Sequence, residues 1–204
     1  MRTCLLTVSL FAVARSLRMP STAPRPTLLR AATAGVSSDA AQLKAALDSL
    51  CSTAPPNGVG ADEALQAEVE SAITELEPLC CEAPAQRPLE GVFDLVYTSA
   101  KGGSNGKVGP FVGAVTQTFV DDRSFINAVD FFGGAVKLSL YAEREIIDDE
   151  RIRVKFRETG VQVFGNEIVR KKMNGAGVWK QRYVDDEIRI MNTPSVFILR
   201  KRGT

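Results

Sequence analysis

The 204-residue chain contains no histidine. That absence excludes Ser-His-Asp and Cys-His catalysis, His-ligated zinc and imidazole acid–base chemistry. Cysteine is scarce, with 4 in all. Cys4 falls in a segment expected to be removed, and Cys51, Cys80 and Cys81 form no C-x-x-C and no second pair for a metal. They read as free thiols on helices, with a Cys51 to Cys80 or Cys81 bridge left open for an oxidising compartment. Neither a metal nor a cofactor is expected. A charge excess is also missing: Lys+Arg 25 against Asp+Glu 24 argues for neither a nucleic-acid binder nor an acidic solvating protein.

The balance conceals a segregation along the chain. Residues 1–35 hold five Arg and no acid, residues 36–89 two basic and nine acidic residues (2 − 9 = −7), and residues 90–204 eighteen and fifteen (18 − 15 = +3). The first block reads as an address. Arg2, the short apolar run Cys4 to Ala14 and the small residues around Ala12-Val13-Ala14 form a signal peptide over 1–14. That run is too short for a permanent span. Residues 15–37, rich in Arg, Ser, Thr, Ala and Pro, have transit-peptide composition. In series the two predict bipartite import into a plastid; a secretory signal followed by a linker is the alternative.

Residues 38–83 predict an acidic helical arm. Leu43, Ala46, Leu47 and Leu50 recur at helical steps from Asp39, with Ser38 or Asp39 as N-cap, and the helix stops before Pro55-Pro56-Asn57-Gly58. A second helix opens near Asp62, with Leu65, Val69, Ala72, Ile73, Leu76 and Leu79 on one stripe. Both are expected to dock an apolar face on a core and leave acids outside.

From residue 84 to 204 the period becomes two. Strands are predicted over Gly91–Ser99, Val112–Asp121, Phe125–Phe132, Ala135–Ile147, Arg151–Glu158, Val161–Lys171, Val178–Val184, Glu187–Met191 and Val196–Arg202. Short polar links join them, including Asp121-Asp122-Arg123, Gly133-Gly134, Asp148-Asp149-Glu150, Thr159-Gly160, Asn174-Gly175-Ala176-Gly177 and Asp185-Asp186. The chain is therefore expected to be mainly β with N-terminal helices (α+β): an antiparallel up-and-down β-barrel of eight or nine strands packed by two helices. At that strand number a barrel has room for one small ligand.

Few motifs suggest chemistry. Lys101-Gly102-Gly103-Ser104-Asn105-Gly106-Lys107 is one residue short of a phosphate loop, and Val108 stands where Ser or Thr would bind magnesium. It reads instead as a mobile loop at the barrel mouth. The acid clusters lack the ligand alternation of a calcium loop and read as turn chemistry. Arg151, Arg153, Lys155 and Arg157 alternate with Ile152, Val154 and Phe156, which places a basic stripe on the outer face. It is either a solvated face or a contact for anionic lipid. Aromatics do not interleave with it, so nucleic-acid stacking is not expected.

Polar residues on inward sets are more pointed, because an unpartnered buried polar group costs about 1–3 kcal/mol. Gln117 lies between Val115 and Phe119, Asn127 shares a face with Phe125, Val129 and Phe131, and Trp179, Gln181 and Tyr183 share another. Gln117 and Asn127 either satisfy each other or meet a ligand.

Several segments together resemble the plastid lipid-associated protein (fibrillin) family. Leu76-Glu77-Pro78-Leu79 with Leu89-Glu90-Gly91-Val92-Phe93-Asp94-Leu95-Val96-Tyr97-Thr98-Ser99 is similar to its helix end and opening strand. Val115-Thr116-Gln117-Thr118-Phe119 and Asn127-Ala128-Val129 are similar to the segments that follow. Trp179 to Ile190 and Val196-Phe197-Ile198-Leu199 are similar to its C-terminal signature. Phe93 replaces a usual Trp, and Met191 to Ser195 replaces a glycine-containing turn. The resemblance, over residues 39–202, implies a lipocalin-like barrel that binds or sequesters carotenoids, quinones, tocopherols or fatty acids at thylakoids or plastoglobules, without a catalytic set.

A non-catalytic lipid-binding function follows as the expectation, with a hydrophobic small molecule and a peripheral membrane or lipid-droplet surface as partners. Tyr97, Gln117, Asn127, Phe156, Trp179 and Tyr183 are expected to line the cavity, Arg144 or Arg189 to meet a ligand head group, and Arg189 to stack on Phe93. Two rivals stand beside it. One is an interaction protein with a filled barrel; the other is a lipid- or isoprenoid-modifying enzyme using Glu143, Arg144, Asp185 or Tyr183. Nothing in the sequence specifies an oligomeric state.

Overall fold

The computed structural model describes residues 26–203. The signal-peptide segment, Cys4 and residues 15–25 of the transit-like segment lie outside the described residues. Helix α1 (Pro26–Thr53) is followed by a 3₁₀ turn (Pro56–Gly58) and helix α2 (Glu63–Leu76). Helix α1 begins well before the expected Asp39, with Pro26 at a first-turn position where its missing N–H costs nothing. Asp62 caps α2, its side chain accepting from the Leu65 amide at 2.8 Å.

Eight strands then form a closed antiparallel ring: β1 (Gly91–Thr98), β4 (Ala114–Phe119), β5 (Ser124–Phe131), β6 (Val136–Ile146), β7 (Arg151–Val163), β8 (Asn166–Val184), β9 (Ile188–Asn192) and β10 (Val196–Lys201). A two-residue ribbon, β2 (Lys107–Val108) with β3 (Phe111–Val112), is set into the link between β1 and β4. β1 pairs with both β4 and β10, so no edge is left unpaired.

The ring has eight strands because two expected turns lie inside strands. Thr159-Gly160 continues β7, and Asn174 to Gly177 continues β8, whose register with β7 shifts between Phe156 and Glu158. Gly175 makes room for a ring, since a side-chain carbon there would stand 3.1 Å from Phe156, whereas one on Gly160 would make an ordinary 3.5 Å contact with Tyr141. The true β7–β8 turn is Phe164-Gly165, both at positive φ (48° and 78°).

One end of the ring is closed by three hairpins with a shared device. Asp121, Asp148 and Asp185 each accept two backbone amides from residues two and three places on, at 2.7–3.0 Å. The acid clusters are turn chemistry, as their spacing implied.

The helices pack along the outside of β1, β8, β9 and β10. Leu47, Cys51, Val69, Ile73 and Leu76 meet Tyr97, Tyr183, Ile188, Ile190 and Ile198 in a second core distinct from the ring interior. Burial pushes the Cys51 thiol up to about 12, with the Asp48 charge adding to it, in keeping with an inert thiol. The charge segregation along the sequence is resolved at this seam. Lys44 donates to Asp185 at 2.8 Å and Glu187 at 2.6 Å, Arg182 donates to Glu70 at 2.6 Å and Glu77 at 2.9 Å, and Arg200 pairs with Asp48.

Candidate functional site

Inside the ring, above a packed aromatic base, lies a cavity of about 540 Å³. Its walls are mostly apolar and include Leu95, Val129, Leu138, Leu140, Phe156 and Trp179. Its mouth is at the end opposite the aspartate turns, where Gly103, Ser104, Val108 and Thr193 border it. The glycine-rich loop is therefore at the mouth, and it is anchored there. Asn57 donates to the Asn105 carbonyl at 3.0 Å and the Gly113 carbonyl at 2.9 Å, while Asn105 donates to Ala100 at 3.0 Å. Gly106, at φ 81°, leaves no room for a side chain: a β-carbon would stand 2.5 Å from Val115 and 2.9 Å from Asn57.

The inward residues of β4, β5, β8 and β9 build a polar floor. Arg189 is fully buried, donates Nε to Gln181 Oε1 at 2.7 Å and donates Nη1 to Gln117 Oε1. Gln117 Nε2 in turn donates to Asn127 Oδ1 at 2.8 Å. Gln117 and Asn127 line the cavity, with Arg189 one hydrogen bond behind Gln117 and two behind Asn127. The Arg189 guanidinium lies over the Phe119 ring at 5.4 Å. The expected partner, Phe93, instead meets Phe119 edge-on at 5.8 Å, so Phe119 fills the stacking position at the base. Burial, then the nearby Arg144 charge, pull Arg189 down to about 9. It stays a cation at neutral pH.

Four of the eight cavity and head-group expectations meet at the site: Gln117, Asn127, Phe156 and Trp179 line the space. Arg189 lies directly behind it. Tyr97 and Tyr183 do not reach it. A register shift between Leu95 and Tyr97 on β1, and another between Gln181 and Tyr183 on β8, turn both rings onto the helices. The Tyr183 hydroxyl donates to Asp185 at 3.1 Å. Arg144 closes the base from below, donating Nε to the Asp122 carbonyl at 2.6 Å and its terminal nitrogens to the Arg87 carbonyl at 3.4–3.5 Å. Glu143 is on the outer surface with Arg157, at 2.6 Å. No carboxylate lines the cavity among the described residues. Leu138, Leu140, Met191 and Phe197, also in the lining, carried a signal in their alternation but no polar atom to single them out.

Arg151, Arg153, Lys155 and Arg157 face outward as their spacing required, each beside a carboxylate. Arg151 pairs with Asp148 at 2.6 Å, Arg153 and Lys155 with Glu145 at 3.5 and 3.0 Å, and Arg157 with Glu143. The stripe is a mixed-charge ladder rather than a bare cationic face. Unpartnered apolar surface is found at the mouth instead. Phe132 and Phe164 are 66% and 80% exposed at the tips of adjacent hairpins, and Phe111 meets Phe132 edge-on at 5.1 Å. The two tip residues hold φ at 54° and 48°, a region that bulky side chains rarely enter.

The sequence profile described as PAP_fibrillin matches residues 41–174, well over half of the chain. The chain belongs to the PAP/fibrillin family. It is thereby a plastid lipid-associated protein in the general sense of that family. The matched stretch runs from α1 into β8 and includes Gln117 and Asn127, whereas Trp179 and Arg189 lie beyond it. No curated protein and no solved structure matches the chain. No described helix is long and apolar enough to cross a membrane.

Proposed function

We propose that this fibrillin-family protein is a non-catalytic, lipocalin-like container that holds one small hydrophobic molecule in its β-barrel and exchanges it with a lipid surface. The observation that carries this reading is the mostly apolar cavity of about 540 Å³ inside a closed sheet, with its mouth at the end opposite the aspartate turns. Its volume is in the range usual for single-ligand sites. Burying an apolar guest there gains about 25 cal/mol for each Å² removed from water. The open space argues against the filled barrel of a purely structural protein. Glu143 and Arg144 lie apart from the Tyr183–Asp185 pair, and none of the four lines the cavity, which gives the enzyme alternative no assembled site.

The exposed Phe111, Phe132 and Phe164 around the mouth suit the lipid interface, where aromatic side chains concentrate. Docked that way, a guest passes from lipid to cavity without crossing water. Plastid membranes or lipid droplets are the surface in question, as the family's association implies.

Two measurements test the reading. Lipid extraction of the purified protein followed by mass spectrometry is expected to recover a stoichiometric apolar molecule, and an apolar fluorescent probe is expected to titrate one site. An empty extract together with no saturable probe uptake would overturn it. Separately, the double substitution Phe132→Ser, Phe164→Ser is expected to lower co-sedimentation with lipid vesicles at least about fivefold. Each ring contributes roughly 1.5–3 kcal/mol when fully buried, and only part of that is realised at an interface. Unchanged sedimentation would place the lipid contact elsewhere.

A further inference from the structure

The hydrogen-bond directions at the cavity floor can be deduced without ambiguity from one residue. A guanidinium has donors and no acceptor. Arg189 therefore requires that both groups it touches present oxygen, which fixes the amides of Gln181 and Gln117 with Oε1 toward it. Gln117 must then donate through Nε2, so Asn127 accepts through Oδ1 at 2.8 Å and is left with Nδ2 to offer. Two further donors on this network, Arg189 Nη2 and Gln181 Nε2, are buried without a partner. Both unpartnered atoms of this network are donors, and the Asn127 Nδ2 donor faces the cavity. An acceptor on the guest meets that donor, whereas a donor on the guest would have to share an amide or hydroxyl oxygen of the lining.

Charge points the same way. None of the polar groups that hold Arg189 is a carboxylate, and its nearest charged influence is another cation, Arg144. A buried cation without an anion costs several kcal/mol, and each unmet buried donor about 1–3 kcal/mol more. A monoanion seated against Asn127 and Gln117 would relieve both. The walls above are mostly apolar and the volume suits one small molecule. A planar, singly charged head is the best match to one guanidinium and its amide relays.

We infer that the guest is a long-chain carboxylate, bound tail toward the mouth, with its head group on the Asn127 and Gln117 amides, of which Gln117 stands one hydrogen bond in front of Arg189. This names the ligand class of the container and rests on that reading. The floor does for the anion what a salt bridge would otherwise do for Arg189.

The decisive experiment compares a saturated long-chain fatty acid with its methyl ester at neutral pH, by calorimetry or by displacement of an apolar probe. The two have the same chain, and only the acid carries charge. The acid is expected to bind at least about tenfold more tightly, the size of one hydrogen bond to a charged group. Arg189→Met and, independently, Asn127→Leu are expected to bring the acid-to-ester ratio within about threefold of one. Asn127 faces open space, so Asn127→Leu reports even if loss of Arg189 prevents folding. Equal affinities for acid and ester in the native protein, or a ratio that Asn127→Leu leaves intact, would overturn the carboxylate assignment while leaving the container standing. Binding of neither compound would overturn both.

Discussion

Substituting Val129 and Leu140 together by tryptophan is expected to abolish uptake of apolar guests while the protein stays folded. The two residues sit on β5 and β6, half-buried, and both face the cavity. Enlarging a side chain in a packed core costs about 1–3 kcal/mol because neighbours must move. Here the added volume enters open space, so the rings displace the guest rather than the walls. Expected results are loss of probe titration by more than about thirtyfold, an unchanged far-ultraviolet spectrum and a melting temperature no lower than that of the native chain. Retained uptake with normal folding would mean that the guest sits elsewhere, and the storage reading would lose its site.

The largest effect on stability is expected from the seam between helices and ring. Ile73→Ala on α2 should destabilise by about 2–5 kcal/mol, the range for truncating a fully buried aliphatic chain. Ile73 has no exposed surface and sits among Leu47, Leu76 and the outward residues of β9 and β10. A helix the length of α2, 14 residues, is marginal alone in water, so its stability comes from this contact. Lys44→Met, by contrast, removes the cation from partly exposed pairs with Asp185 and Glu187 and leaves the hairpin pin intact, and pairs of that kind contribute roughly 0–1 kcal/mol. Urea unfolding of the two variants side by side separates the contributions. A larger loss for Lys44→Met than for Ile73→Ala would show that ion pairs, not apolar burial, hold the arm in place.

The strand pattern shows how far the sequence could be read. From β4 to β6 the period-two alternation gave strands and facing sides correctly, because each has one buried face and short polar turns. The error came where glycine was taken as punctuation. Gly160 and Gly175 lie within strands beside the rings of Tyr141 and Phe156, and a glycine that accommodates a ring looks identical in sequence to one that turns the chain. The actual turn at Phe164-Gly165 puts an aromatic residue at positive φ, a choice with no local stereochemical logic.

The same limits governed the site. Gln117, Asn127, Phe156 and Trp179 followed from side alternation. Tyr97 and Tyr183 were assigned to the interior because alternation was carried through Val96 and Arg182, where the register shifts. A one-residue shift moves every later side chain to the other face, and nothing in either segment marks it. The acidic arm and the mildly basic body, by contrast, were legible as separate charge blocks, with the arm's acids expected to face outward. Only their docking, Arg182 to Glu70 and Glu77 among others, tells which residues meet. Arg189 stood out as a possible head-group contact, but its lack of any carboxylate partner is a property of three-dimensional packing.

The aspartate-pinned hairpins and Arg144 lie at one end of the ring, and the cavity mouth with the exposed Phe132 and Phe164 at the other. In the proposed container a guest enters and leaves at that mouth, so whatever departs goes out the way it came in. As a lipid holder, such a molecule would act as a buffer. Its occupancy would follow the free level of its guest in the adjoining membrane, filling when that level rises and emptying when it falls, with no directional transport and no energy source required.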